Sequence, residues 1–122
     1  MNGEAKPAEA QKPKTSIGLE ENVAGLLCYL LTWVTGLIFL LLEKESKFVR
    51  FHAMQSLVTF LSLMVVIWIL SFISEFVVVL IPLVWILNFL ILVFWIVGMI
   101  KAYQGETYKF PVFGNIAESL LK

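Results

Sequence analysis

No charged side chain occurs between Val23 and Leu42, and between Phe51 and Ile100 the only formal charge is Glu75. Uncharged stretches of that length constrain the fold more than any motif in the chain. A chain of 122 residues has room for one domain. At that size surface is too large relative to volume for so much apolar sequence to be hidden from water. Sixty per cent of the residues are hydrophobic and 15 % are charged, against about half and about a quarter in soluble domains. Lipid is the solvent that accommodates such a sequence.

The remaining composition excludes several kinds of chemistry. Nine basic and nine acidic residues give a net charge of zero, and no basic stripe marks a nucleic-acid partner. Every acidic residue is Glu, and there is one His and one Cys, too few for a closed metal site. Phosphate-cradling and dinucleotide-binding glycine patterns are absent. A non-enzymatic protein without cofactor or metal is therefore expected.

Residues 1–19 are expected to form a disordered tail, because "MNGEAKPAEAQKPKTS" has no large apolar side chain to offset the entropy of ordering. Residues 20–122 form the helical membrane domain. Ser16 or Asn22 is placed to cap its first helix, with Glu20 and Glu21 near the positive helix end. Val23–Leu42 matches the roughly 20 residues needed to cross about 30 Å of hydrocarbon. It starts too late, runs too long and lacks a small-residue cleavage site for a signal peptide, so it reads as a retained span.

The short connection Glu43–Lys47 forces an antiparallel hairpin with a second span over 49–72. Pro82 suits the first turn of a helix, and an acid at mid-bilayer costs roughly 3 kcal/mol. Glu75 is therefore expected at the opposite surface, with a third span over 81–100 anchored by Lys101 and Tyr103; a start at Phe76 with a proline kink is the alternative. The segment 101–122 reads as a glycine-containing turn, then Pro111, then a short helix capped by Asn115 that lies in the interface or packs on the bundle. The expected fold is all-α: an integral membrane helical bundle of three transmembrane helices plus a short C-terminal interfacial helix. Lys44, Lys47, Arg50, Lys101, Lys109 and Lys122 fall on one side of such a chain, and Lys6, Lys12 and Lys14 on the other. That bias places the C-terminus in the cytoplasm and the N-terminus outside.

Inside the membrane the informative side chains are small or polar. Gly25, Cys28, Thr32, Thr35 and Gly36 fall on one face of the first span, a pattern that lets another helix approach closely. His52, Gln55, Ser56, Thr59 and Ser62 form a stripe on the charged half of the second. Asn88 stands near the middle of the third and calls for an interhelical partner, as a packing clamp or an oligomer contact. In one reading Arg50, His52, Gln55, Thr59 and Asn88 line a polar cleft open to the cytoplasm, with His52 as its titratable group. In the other the polar groups only hold helices together, at about 0.6 kcal/mol per contact, and His52 beside Arg50 is an interfacial collar. The four tryptophans read as bulky packing.

"FVRFHAMQSL" at 48–57 resembles the Phe-x-Arg-Phe-His-Ala-x-Gln signature of the Tic-twenty-like family. These are small prokaryotic membrane proteins similar to the chloroplast inner-envelope import component. "KAYQGETYKFPVFGNIAE" at 101–118, with Tyr103, Gly105 and Pro111, resembles that family's Ala-Tyr-x-Gly turn and aromatic-proline element. The resemblance implies a helical protein of the prokaryotic cell membrane, no catalytic role for Arg50, His52 or Gln55, and, through the plant relative, a part in preprotein translocation. The functions in view are thus a subunit in protein translocation or insertion, or a scaffold of a membrane complex, with an oligomeric small-solute or proton channel as the alternative. The expected partners are the lipid bilayer and either further copies of the chain or other membrane proteins.

Overall fold

A computed structural model describes residues 15, 16 and 18–121. The chain is all-helical: α1 (Glu21–Leu30), α2 (Trp33–Leu42), α3 (Lys47–Ser74), α4 (Ile81–Tyr103) and α5 (Phe113–Leu121), with one 3-10 turn at Val78–Leu80 leading into α4. The segment 1–14, which holds most of the expected tail, lies outside the described residues. Among the described residues two stretches, Lys47–Ser74 and Val78–Tyr103, are long and apolar enough to cross a membrane.

The expected first span is two helices rather than one. Leu31 and Thr32 interrupt it, Thr32 with a left-handed φ of 58°. Each half has ten residues, about 15 Å of helix, half of the ~30 Å hydrocarbon thickness. The two halves then fold back on each other. Ser46, before α3, donates to the carboxylate of Glu21 at the start of α1. Asn22 donates to the Tyr103 carbonyl at 3.2 Å, and Arg50 reaches the Leu40 carbonyl near the end of α2 at 3.2 Å. The start of α1, the end of α2, the start of α3 and the end of α4 therefore share one end of the bundle. The hairpin tip lies against Ser56 and Trp95, ten residues beyond Ser46 on α3, or about 15 Å in.

Broken backbone at that depth stands only where the chain itself supplies hydrogen bonds, and here side chains do so. Thr35 Oγ1 accepts from the Leu31 N–H at 3.1 Å and donates to the Cys28 carbonyl at 3.2 Å. Ser56 Oγ donates to the Thr32 carbonyl at 2.8 Å, and Trp95 Nε1 to the Leu30 carbonyl at 3.2 Å. Thr32 Oγ1 donates to the Leu31 carbonyl at 2.6 Å. Hydroxyls that compete for backbone partners in a straight helix are here what makes the turn tolerable.

Small residues set the packing distances. A Cβ on Gly36 would stand 2.9 Å from the Ala53 carbonyl oxygen, so α2 lies almost directly on the α3 backbone. On Gly98 it would meet the Tyr29 ring at 2.8 Å, and on Gly25 the Phe48 ring at 2.9 Å. Ala24, Ala53 and Ala102 fill the remaining close approaches around Tyr29, Phe60 and Phe110. Beyond the hairpin tip, α3 and α4 continue as a two-helix limb with an apolar exterior. Trp85 is 73 % exposed and Trp68 67 % exposed, which only a hydrocarbon solvent rewards. These two rings therefore face outward, and the expectation that all four tryptophans pack internally does not hold.

Several local expectations need correction. The N-cap of α1 is Glu20, without a side-chain capping bond; Ser16 and Asn22 bond elsewhere, to Glu43 and Tyr103. Asn115 lies inside α5, which begins at Phe113. Its preceding turn is closed by the Phe113 N–H on the Pro111 carbonyl at 2.7 Å and the Gly114 N–H on the Phe110 carbonyl at 2.9 Å.

Candidate functional site

The polar stripe of α3 meets the segment that follows α4. Gly105, with φ of 81°, turns the chain back after Tyr103, and residues 106–110 then cross the stripe. His52 and Gln55 project from the first turns of α3 and are fully buried. His52 Nε2 lies 2.8 Å from the Glu106 carbonyl oxygen, which can only accept, so this nitrogen carries the proton. Nδ1 then accepts from the Tyr29 hydroxyl at 2.6 Å. The Tyr29 oxygen in turn accepts from Gln55 Nε2 at 2.8 Å. Gln55 Nε2 also donates to the Tyr108 carbonyl at 3.0 Å, and its Oε1 accepts from the Phe110 N–H at 2.8 Å. One neutral imidazole tautomer satisfies this whole chain of donors and acceptors. The Phe48 and Phe51 rings flank His52 edge-on, with centroids at 4.6 and 5.4 Å.

A second cluster holds the end of the bundle. Glu43, just past α2, is fully buried. Its carboxylate accepts from the Ser46 N–H at 2.7 Å, the Glu45 N–H at 2.9 Å, the Ser16 N–H at 2.8 Å and Ser16 Oγ at 3.0 Å. Burial pushes this carboxyl up, but the donors from Ser46, Glu45 and Ser16 outweigh it and hold it below the usual carboxylate range. Ser46 Oγ accepts from the Val49 N–H at 3.2 Å and so caps α3. Arg50 donates through one guanidinium nitrogen to the carbonyls of Leu40 (3.2 Å) and Glu43 (2.8 Å), satisfying the orphan acceptors at the end of α2.

The structure thus brings His52 and Gln55 together with the C-terminal segment, sets Arg50 on the end of α2, and leaves the other expected site residues apart. Thr59 is buried one turn beyond Gln55, its hydroxyl without a partner among the described residues. Asn88 is exposed on α4 and donates to the Val84 carbonyl of its own helix at 2.9 Å; it does not join the stripe. Gly25 and Cys28 belong to α1, Thr32 to the tip and Gly36 to α2, so they do not share one helix face. Cys28 lies 3.8 Å from the Val49 carbonyl. Tyr103 ends α4, Gly105 makes the turn and Pro111 leads into α5. Sequence reasoning missed Tyr29, Glu43, Gly98 and Phe110, and the bond of Ser56 to the Thr32 carbonyl. A hydroxyl-bearing Tyr29 four residues from Gly25 and an acid directly after an apolar run were the available signals. No group of three or more His, Cys or Glu side chains is arranged to hold a metal among the described residues.

Two long apolar helices, a half-depth hairpin and polar side chains spent on holding that hairpin define a small polytopic membrane protein. Comparison with known proteins makes this more specific. Residues 16–117 match the magnetosome magnetite crystal formation protein family, and the chain belongs to it. It is 58 % identical over 108 residues to a UPF0132 membrane protein of Methanocaldococcus jannaschii, covering 84 % of this chain and 71 % of that one. A second such protein of the same organism is 51 % identical over 86 % of this chain and 92 % of its own. One of Archaeoglobus fulgidus is 52 % identical over 82 % and 94 %. No solved structure matches the chain. These matches overturn the Tic-twenty-like resemblance, and the import role it implied goes with it. The motif around Arg50, His52 and Gln55 is the apparatus of the hairpin and its C-terminal strap.

Proposed function

We propose that the protein is a non-enzymatic scaffold subunit of a prokaryotic membrane, built from two spans and a re-entrant hairpin. The observation that carries this reading is the fate of the buried polar groups. His52, Gln55, Tyr29, Ser56 and Thr35 all bond within the chain, and the space over the stripe is taken by residues 106–110. A conductor needs polar groups that exchange partners along a path; these are committed to holding one fold. The family description concerns magnetite crystal formation. In this chain Glu21, Glu43 and Glu106 are each engaged by a partner of their own, and what we carry over from the family is its membrane-embedded part.

The hairpin also changes the expected topology. The described chain begins and ends at one end of the bundle, where Lys44, Lys47, Arg50, Lys101 and Lys109 all lie. The opposite end, around 74–80, has Glu75 and no cation. The positive-inside bias assigns that cationic end, with Thr15 and α5 beside it, to the cytoplasm.

Capture of the full chain in mild detergent, followed by intact-mass measurement, tests the scaffold reading. Stoichiometric assemblies with another membrane protein are expected. Isolated single copies that carry protons into proteoliposomes, with the flux abolished in His52→Ala, would favour the channel alternative and defeat ours. The topology is tested by single cysteines in a Cys28→Ser background: Lys44→Cys and Gln104→Cys label from the cytoplasm, Glu75→Cys from outside.

A further inference from the structure

The cationic end of the bundle contains a cleft of about 640 Å³ between the start of α3 and the C-terminal segment. Lys44, Lys47, Arg50 and Lys109 line it, together with the rings of Phe48 and Phe51. Two carboxylates, Glu45 and Glu118, also stand in its wall. Glu118 pairs with Lys109 at 3.0 Å. Among the described residues neither Lys44 nor Lys47 forms an ion pair, and Arg50 spends only one nitrogen on backbone carbonyls. Among the described residues, three cations in this cleft thus stand against Glu45 without an ion pair.

The cleft has a second character besides charge. It opens where the apolar surface of the bundle begins: Leu41 and Leu42, exposed at the end of α2, directly precede the charged connection, and Leu121 of α5 closes another wall. A free anion would use only the cations. An amphiphile would use both, with its phosphate between Lys44, Lys47 and Arg50 and its acyl chains along α2. Basic pockets between helices at the cytoplasmic surface suit anionic headgroups for this reason.

We propose that this cleft is a binding site for one anionic phospholipid of the surrounding bilayer, held through its headgroup phosphate. The site rests on this end of the bundle meeting a membrane surface and is independent of the scaffold reading. It ties the short connection, α3 and the C-terminal segment to a particular lipid class and so lets membrane composition stabilise the hairpin.

The test titrates phosphatidylglycerol or phosphatidylcholine into the full chain in neutral detergent and reads lipid occupancy by native mass measurement. One phosphatidylglycerol per chain is expected, in preference to phosphatidylcholine. Each cation near an anionic lipid surface contributes about fivefold in affinity, so Lys44→Gln/Lys47→Gln should weaken binding by roughly 25- to 30-fold. Both side chains are exposed, and unchanged helix content will show that the fold persists. Lys101→Gln, outside the cleft, should change affinity less than twofold. An equal per-charge loss in Lys101→Gln would reduce the site to diffuse surface attraction and overturn the proposal. So would equal binding of phosphatidylcholine. Displacement of the lipid by an equal concentration of inorganic phosphate would assign the cleft to a free anion instead.

Discussion

Replacing Gln55 by Leu removes three hydrogen bonds while nearly preserving side-chain volume. Its amide joins Tyr29, the Tyr108 carbonyl and the Phe110 N–H. Two magnitudes compete for the outcome. Polar contacts between helices in a membrane average about 0.6 kcal/mol, because loosened helices find other partners. A buried backbone N–H left without an acceptor costs about 1–3 kcal/mol. The second governs here. Phe110 is 1 % exposed, wedged between Tyr29 and the stacked ring of Phe94 at 4.7 Å, and precedes α5, so its N–H has no helical carbonyl to fall back on. Local opening of residues 106–112 should become easier by that amount, which speeds exchange of the Phe110 amide by roughly five- to 150-fold. Hydrogen exchange of detergent-solubilised protein, read on the peptide spanning these residues, measures it directly. Exchange unchanged within twofold would mean that Gln55 does not hold the strap, and the assignment of the motif would fail.

Gly36→Ala sets a Cβ 2.9 Å from the Ala53 carbonyl oxygen and 3.1 Å from the Leu57 nitrogen, both backbone atoms that cannot swing aside; a loss of about 1–3 kcal/mol is expected in unfolding measurements. Arg50→Met strips two charge-assisted bonds from the end of α2, and about 1.5–3 kcal/mol should go with them, seen as easier proteolysis at the 43–47 connection. For Glu43 the folded carboxyl lies below its ordinary value of 4.5. Its contribution is therefore complete above that value and is lost as pH falls through the folded one. Protection of the chain around Ser16 from protease should be flat from neutral pH down to about 5 and decline below, and in Glu43→Gln it should be weak at every pH.

What the sequence alone decides follows from solvent and period. Uncharged runs of that length admit only lipid, and with lipid only helices or closed barrels satisfy the backbone, so the all-helical membrane class needed no tertiary information. The two stretches long enough to cross were visible for the same reason. The polar stripe on α3 was visible too, because His52, Gln55, Ser56 and Thr59 recur at helical spacing. Its purpose was not, since partners such as the Phe110 N–H and the Tyr108 and Glu106 carbonyls come from more than fifty residues away.

The hairpin was the feature that sequence concealed. Val23–Leu42 has the length and hydropathy of a span, and nothing at Leu31–Thr32 marks a turn. Its own residues read as one straight helix. Tertiary structure breaks it, because Ser56 and Trp95 supply the bonds that the broken backbone needs and Gly36 and Gly98 let the two short helices press against α3 and α4. Composition determines that a chain enters lipid; how deep each segment goes depends on where distant side chains can replace the hydrogen bonds that a helix break gives up.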